Sequence, residues 1–343
     1  MRLPLLIAAV DRALRAAGTP VRGDSVVLGL SGGADSVALV DALASLRRRR
    51  GFRLIAAHLD HDLRPGSADD AAFCAELCER LSVPLVRGTA DVRARAGSEK
   101  GGLEQAARRE RYLFLRRVQR EERAVAIAVA HTLDDQAETL LLRLLRGAGA
   151  TGLAGMRARS GDLLRPLLGV SRQEVVGYLR ERGLSWREDP SNADLAHRRN
   201  RVRHELLPYL EARFNPRARA ALARTAALLA DEAAHLRAEA ESLVDRVGHA
   251  EKDALVLPRA TLAETSPALA RAVVRLVLAR SGGLGQVGAA HVERVLQIAR
   301  AKAPSGRRVP LPGGREARAT RDEIRFGKRA ATPRKVVSSP GQP

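Results

Sequence analysis

At 343 residues and 45% hydrophobic content the chain has material for two or three compact domains, and with aromatics at 3% the core has to be built from Ala, Leu and Val, which suits packed helices. A formal charge of +20, from 59 Lys plus Arg against 39 Asp plus Glu, excludes an ordinary balanced surface and points to a polyanionic partner, nucleic acid ahead of an acidic membrane. Lysine accounts for only five of the basic residues, a bias that a GC-rich genome produces, but that bias leaves the net excess standing.

Residues 3–10 are apolar, but Asp11 and Arg12 follow at once. No stretch reaches the ~20 apolar residues that cross a bilayer, so the expected location is the cytoplasm and no membrane partner is expected. From Ser25 to about Gly147 strand-like and helix-like segments alternate: SVVLGL (25–30) before a helix at 36–48, RLIAAHL (53–59) before 67–82, PLVRGT (84–89) before 103–120, and AVAIAVA (124–130) before 134–146. Four βα units in succession predict an α/β fold, a parallel sheet flanked by helices, with ligands collecting at the carboxyl ends of the strands. Cys74 and Cys78 stand at i,i+4 on the second of these helices and read as buried free thiols, since one pair at this spacing makes neither a disulfide framework nor a metal site.

The Gly-rich run GAGATGLAG (147–155) reads as a loop over the sheet edge, and helices are predicted at 172–182 and 198–213 around the turn-rich WREDPSNAD (186–194). After Asn215-Pro216 the texture changes. Ala-rich 217–247 predicts one long amphipathic helix, 267–281 and 288–301 two more, and VPLP and EARATRDEIRF are strand-like. The predicted organisation is a catalytic domain over 1–215, a mainly helical domain over 216–327, and a disordered basic tail over 328–343.

The junction Ser31-Gly32-Gly33-Ala34-Asp35-Ser36 lies between the first predicted strand and its helix. Glycines there permit close backbone approach to a phosphate, serines donate to its oxygens, and the helix start adds partial positive charge. The loop lacks the Lys of a Walker A motif and carries an Asp instead, which suits pyrophosphate held with a metal. In HTLDDQAET (131–139), Asp134, Asp135 and Glu138 stand at a helix start, where carboxylates favour the dipole. Asp135 and Glu138 also share a face, and two acceptors on one face of a cleft can bind an ammonium group. Arg108 and Arg111, at i,i+3, read in isolation as a solvated basic face, and His58, His61 and His131 as packed core histidines or nucleotide contacts at strand ends. RRNRVR (198–203) puts four arginines in six residues, beyond what solubility requires.

SGGxDS after a strand is the signature of the PP-loop ATP pyrophosphatases, and this chain resembles that family. HLDHDLR (58–64), EQAARRERYLFL (104–115), AHTLDDQAETLLLRLLRGAG (130–149), LLRPLL (163–168), and EDPSN followed by RRNRVR (188–203) look, in this order, like the tRNA(Ile)-lysidine synthetases. The likeness covers roughly residues 20–215 strongly and the remainder weakly. It implies an adenine nucleotide alpha hydrolase-like fold, with ATP and Mg²⁺ on Ser31, Gly32, Gly33, Ala34, Asp35 and Ser36, Asp35 at the metal, and His61 and Arg201 assisting. It further implies Arg111, Asp134, Asp135, Glu138, Arg199 and Arg203 as contacts to L-lysine and tRNA, and Asp35, Arg108, His131, Asp135 and Glu138 as the catalytic set. The family's EAAAR-x-x-RY pattern is departed from at Gln105, Arg109 and Glu110, which should alter the surface rather than the site.

The implied reaction has two steps. The wobble cytosine of the tRNA(Ile) with a CAU anticodon attacks the α-phosphate of ATP through its carbonyl oxygen, and the ε-amine of lysine then displaces AMP. The proton acceptor is left open among Asp135, Glu138 and His131. Longer members carry a further C-terminal domain, without which this chain is expected to end, and the oligomeric state, a homodimer among the candidates, is open. Two rivals stand beside this reading: a PP-loop tRNA thiolase, whose cytidine-modifying type carries paired CxxC cysteines that are absent here, and a basic RNA-binding protein without turnover, which would have no need of SGGADS and DDQAET.

Overall fold

The computed structural model describes residues 4–60, 67–92, 102–188, 194–281 and 287–329. The chain divides into two compact units, Met1–Ala230 and Asp231–Pro343. The expected boundary at 215 falls at a turn before a long helix in the first unit, and the tail expected from 328 lies outside the described residues after 329.

Four strands of the first unit run parallel: β1 (Ser25–Gly29), β2 (Arg53–Asp60), β3 (Leu85–Thr89) and β4 (Ala126–Ala128). A short hairpin, β5 (Arg159–Ser160) and β6 (Leu163–Leu164), adds through β6 to β4, so that the order is β3-β2-β1-β4-β6-β5. The parallel α/β fold read from the alternating segments is the fold observed. β1 is buried on both faces, which is why it reads as an uninterrupted apolar run. Val26 and Leu28 pack with helices α1 (Leu5–Ala16) and α2 (Ala34–Arg50), while Val27 faces Phe114, Leu115 and Val118 of α4 (Gly102–Glu121). α3 (Ser67–Arg80) follows β2 and presents Cys74 and Cys78 to the core on the α2 side.

The chain builds β2 and β3 on one side of β1 and then crosses to β4 on the other. A crevice opens at the carboxyl ends of β1 and β4, the switch point at which such sheets take their ligands. α5 (Leu133–Leu144) starts from the β4 side of this crevice. The Gly-rich run after it holds a single helical turn, α6 (Ala150–Leu153), where only a loop was expected, and Gln136 of α5 pins its far end by bonding both the N–H and the carbonyl of Met156 (2.7 and 2.9 Å). Gly155, at φ +62°, sits against that amide so closely that a Cβ would lie 2.6 Å from Gln136 Oε1.

α7 (Arg172–Glu181) is capped by Ser171 and Glu174 and braces α2: the Tyr178 hydroxyl donates to the buried carboxylate of Asp41, and Arg182 bonds the same group at 3.2 and 3.3 Å. The predicted helix 198–213 is interrupted. Between α8 (Arg198–Arg201) and α9 (Leu207–Arg213) lies a wider π turn, Val202–Leu206, just ahead of Pro208, which has no N–H to close an ordinary turn.

The second unit is fed by α10 (Ala218–Val247), in which the division falls. It packs α11 (Arg259–Glu264), α12 (Pro267–Arg280) and α13 (Ala289–Arg300) on an antiparallel sheet of β7 (His249–Glu251), β8 (Ala254–Pro258), β9 (Arg308–Leu311), β10 (Arg315–Ala319) and β11 (Glu323–Lys328), in the order β7-β8-β11-β10-β9. Alternate residues Val309, Leu311, Ala317, Ala319, Ile324 and Phe326 meet Val273, Val277 and Val295 in its core. Helices α10, α12 and α13 and the β9–β11 strands match the sequence reading, and α11 and the β7–β8 hairpin are the additions. The hairpin turn uses Lys252 at φ 43°, a residue that gives no turn signal.

Candidate active site

The loop at the end of β1 is shaped by its own serines. Ser36 is buried; its hydroxyl donates to Gly33 O (2.9 Å), accepts from Ser31 N–H (3.2 Å) and lies 3.2 Å from Ser31 Oγ, whereas Ser31 itself is exposed. Gly32 adopts φ +82°, and Arg187, held by Asp70 (3.0 Å), donates its N–H to Gly32 O (3.0 Å). Gly33 is the N-cap of α2 and no side chain caps it, so the N–H groups of the first turn, from Ala34 onward, are left for a ligand.

Asp35 stands in that first turn with one oxygen on Arg172 Nη1 (2.8 Å) and the other, Oδ1, buried without a hydrogen-bond partner. Burial pushes its carboxyl up to about 6; Asp135 and Asp134 add to the rise, and Arg172 and Arg203 oppose it. An orphaned carboxylate oxygen in an acidic neighbourhood fits a divalent cation. Among the described residues no group of three His, Cys, Asp or Glu side chains could hold a metal by itself, so Mg²⁺ here would draw its remaining oxygens from phosphate and water.

Across the crevice, α5 brings its acidic residues to fixed partners. Asp135 Oδ2 accepts from the N–H (2.8 Å) and hydroxyl (3.1 Å) of Thr132, closing a capping box. Its Oδ1 accepts from Arg199 Nη2 (2.8 Å) and Arg203 Nη2 (3.2 Å). Glu138, with no exposure at all, accepts from Arg199 Nε (2.7 Å) and Arg203 Nε (2.5 Å). Burial alone would raise the Asp135 carboxyl, but Arg199, the Thr132 N–H, His131 and Arg203 together hold it below the usual carboxylate range.

Sequence spacing left the acid pair free for an ammonium and the arginines free for phosphates; the structure pairs the two sets with each other. The i,i+3 rule says which residues share a face but not that a helix some sixty positions later, at a sequence separation of 61 for Glu138 and Arg199, brings counter-charges to it. Arg201 is exposed and, among the described residues, meets Glu205 at 3.5 Å. Asp134 holds no open acceptor either: Oδ2 takes the backbone N–H of Arg172 (2.8 Å) and Oδ1 takes Arg219 Nη1 (3.1 Å), a staple between α5 and two other helices.

His131 follows β4, and its Nδ1 is buried without a partner. Burial lowers its pKa to about 4 against the pull of Asp135, with Arg165, Arg108 and Arg199 reinforcing the drop, so the imidazole is neutral at pH 7 and cannot serve as an acid there. Arg108 and Arg111 of α4 are exposed, the Arg108 guanidinium lying 5.3 Å from the centre of the Tyr112 ring. Arg165, directly after β6, is 9% exposed, donates to Arg157 O (2.7 Å), and leaves Nε unpartnered. His58 is a packed residue, its Nδ1 2.9 Å from Leu30 O, and His61 lies outside the described residues. Arg165, Arg172, Arg187 and Arg219 were not singled out from sequence as site residues. Arg165 stands inside LLRPLL, whose position at a strand end was the available signal.

Two family models match, a PP-loop domain over residues 7–210 and a TilS substrate binding domain over 257–325. The tRNA(Ile)-lysidine synthase of Geobacter sulfurreducens is 43% identical over 314 residues, 90% of this chain and 66% of that protein. The enzyme of that name from Dehalococcoides mccartyi is 37% identical over 319 residues, 90% of this chain and 67% of its own length. The chain belongs to the tRNA(Ile)-lysidine synthase family. It spans about two thirds of the length of these two relatives and 55% of the Thermus thermophilus tRNA(Ile)-lysidine synthase, to which it is 44% identical. Among solved structures, the U34-tRNA thiolase NcsA from Methanococcus maripaludis with its [4Fe-4S] cluster aligns with a TM-score of 0.55 at 18% identity, covering 66% of this chain and 79% of that one. That likeness speaks to the fold that the lysidine synthase family shares with it.

Proposed function

We propose that this chain forms lysidine: it adenylates the wobble cytidine of the tRNA(Ile) with a CAU anticodon and joins free L-lysine to the activated ring carbon, releasing pyrophosphate and AMP. The observation that carries the reading is the placement of an uncapped phosphate-type loop bearing Asp35 across one crevice from the buried Asp135–Glu138 pair. The α2 N–H groups and Ser31 receive the phosphates of ATP, and Ser36 holds the loop in shape. Mg²⁺, for which Asp35 Oδ1 is the available oxygen, would supply neutralisation of charge on the leaving pyrophosphate. The lysine amine enters the acid pair in exchange for a guanidinium of Arg199 or Arg203, which is then free to meet a phosphate. The proton acceptor lies among Asp135, Glu138 and His131, which stand together at the start of α5. Arg111 and exposed Arg201 are the tRNA-facing cations of the first unit, and residues 216–327, which contain the substrate binding domain match, are the other part of the chain that binds tRNA. A cytoplasmic location accords with the absence, among the described residues, of any helix long and apolar enough to cross a membrane.

Incubating the protein with that tRNA, ATP and labelled lysine tests the reading. Label entering the tRNA in step with AMP release is the expected result; tRNA binding without turnover would leave the RNA-binding rival standing.

The sulfur-transfer rival is disfavoured by the two cysteines. Cys74 and Cys78 are fully buried in the core, and burial pushes their thiols up to about 12 and about 11, the opposite of what a reactive or metal-bound thiolate needs. Cys74→Ser with Cys78→Ser should therefore keep lysine incorporation and cost about 1–2 kcal/mol in urea unfolding. Loss of turnover in the folded double variant, or iron in the purified protein, would revive that rival.

A further inference from the structure

Around the crevice, buried and half-buried arginines are matched to carboxylates: Arg199 and Arg203 to Asp135 and Glu138, Arg219 to Asp134 and Glu211, Arg172 to Asp35. Arg165 is the exception. It is more deeply buried than any of these, yet among the described residues no carboxylate pairs with it; the Arg157 carbonyl and the Tyr112 side chain are its neighbours, and Nε has no acceptor. Arg108 adds a second positive charge beside it. A desolvated cation without its counter-ion is costly to hold, and a fold that matches its other crevice arginines leaves this one for an anion that arrives with a ligand. Next to it His131 Nδ1 is likewise buried and unpartnered.

We infer that Arg165, backed by Arg108, seats the α-carboxylate of the amino-acid substrate, so that the crevice selects a free α-amino acid over a simple diamine. The inference rests on the lysine-transfer reading above. Arg165 directly follows β6, and His131 follows the neighbouring strand β4, ahead of the helix start that carries Asp135, so a basic and an acidic group share this carboxyl end of the sheet. Lysine has that polarity: an ammonium at the end of its side chain for the acid pair, and a carboxylate for the planar, two-pronged guanidinium. The alternative anion is a phosphate of ATP or tRNA. Arg172 already serves the phosphate loop through its bond to Asp35, and a site nine-tenths buried suits a small carboxylate better than a polynucleotide backbone.

The test needs no mutation at first. Cadaverine carries both amines of lysine and no carboxylate, and lysinamide replaces the carboxylate by a neutral amide. The parent protein should bind lysine in calorimetric titration, and use it by kcat/KM in transfer to tRNA, about 30-fold or more better than either analogue. Arg165→Gln should bring the ratio near one by weakening lysine, and Arg165→Lys should recover part of it. A parent that takes cadaverine as readily as lysine, or an Arg165→Gln protein that keeps the parental ratio, overturns the assignment. So does a change confined to the KM for ATP or to the salt dependence of tRNA binding, either of which would make Arg165 a phosphate seat. If Arg165→Gln does not fold, the parental ratios and Arg165→Lys decide. A parent that transfers no lysine overturns the earlier reading, whereas one that transfers lysine without discrimination overturns this one alone.

Discussion

Asp35→Asn should lower tRNA-dependent release of pyrophosphate by about 10²–10³-fold while leaving the protein folded, an effect of the size seen when one group that stabilises developing charge is removed. The substitution keeps the shape of the side chain and an oxygen for Arg172 Nη1, now 2.8 Å away, and removes only the charge. That charge is held at a disadvantage, since burial and the neighbouring Asp135 and Asp134 raise the carboxyl to about 6. Its removal from the folded state should therefore leave the thermal midpoint unchanged or slightly higher, in spite of the weaker bond to Arg172. A functional residue held against its own electrostatic preference predicts this split between activity and stability. Pyrophosphate release at the parental rate would remove Asp35 from the chemistry.

Glu138→Ala should show the opposite balance, a stability loss of about 3 kcal/mol together with loss of lysine use. Breaking a buried ion pair from one side generally costs about 3–5 kcal/mol, because the remaining charge stays desolvated. Here the Arg199 and Arg203 side chains are 28% and 24% exposed, so water replaces part of what is lost and the lower end applies. Glu138→Gln keeps one acceptor and should lose less stability, which makes it the variant for kinetics. Adenylated tRNA should accumulate with it, and the lysine concentration needed for half-maximal transfer should rise at least tenfold. If the lysine dependence is that of the parent, the acid pair is not the seat of the amine. Urea midpoints for both variants, measured with the parent, check the stability order.

The centre of the sheet was legible because its strands are buried on both faces and therefore uninterrupted in sequence, as Val26, Val27 and Leu28 illustrate, and because the loop after β1 gathers residues that only a tight, anion-facing turn requires. The faces of single helices were legible for the same local reason: Asp135 and Glu138 do point the same way. What lay beyond reach was pairing between distant segments. Nothing near Glu138 announces Arg203, and nothing near Asp134 announces Arg219, 85 positions away. The β7–β8 hairpin was missed on different grounds, since its strands are short and Lys252-Asp253 is not a favoured hairpin turn.

Arg172 draws a consequence from its double attachment. Its guanidinium grips Asp35 on α2 and its backbone N–H grips Asp134 on α5, so one residue ties both walls of the crevice to the start of α7. The two ties respond differently to sequence drift: loss of the side-chain cation cuts the first, and the second survives every amino acid but proline. As the first residue of a helix after its Ser171 cap, position 172 is ordinarily a place where proline is welcome. In this architecture it is closed to proline, and an allowance that helix geometry grants is withdrawn by a contact made 38 residues away.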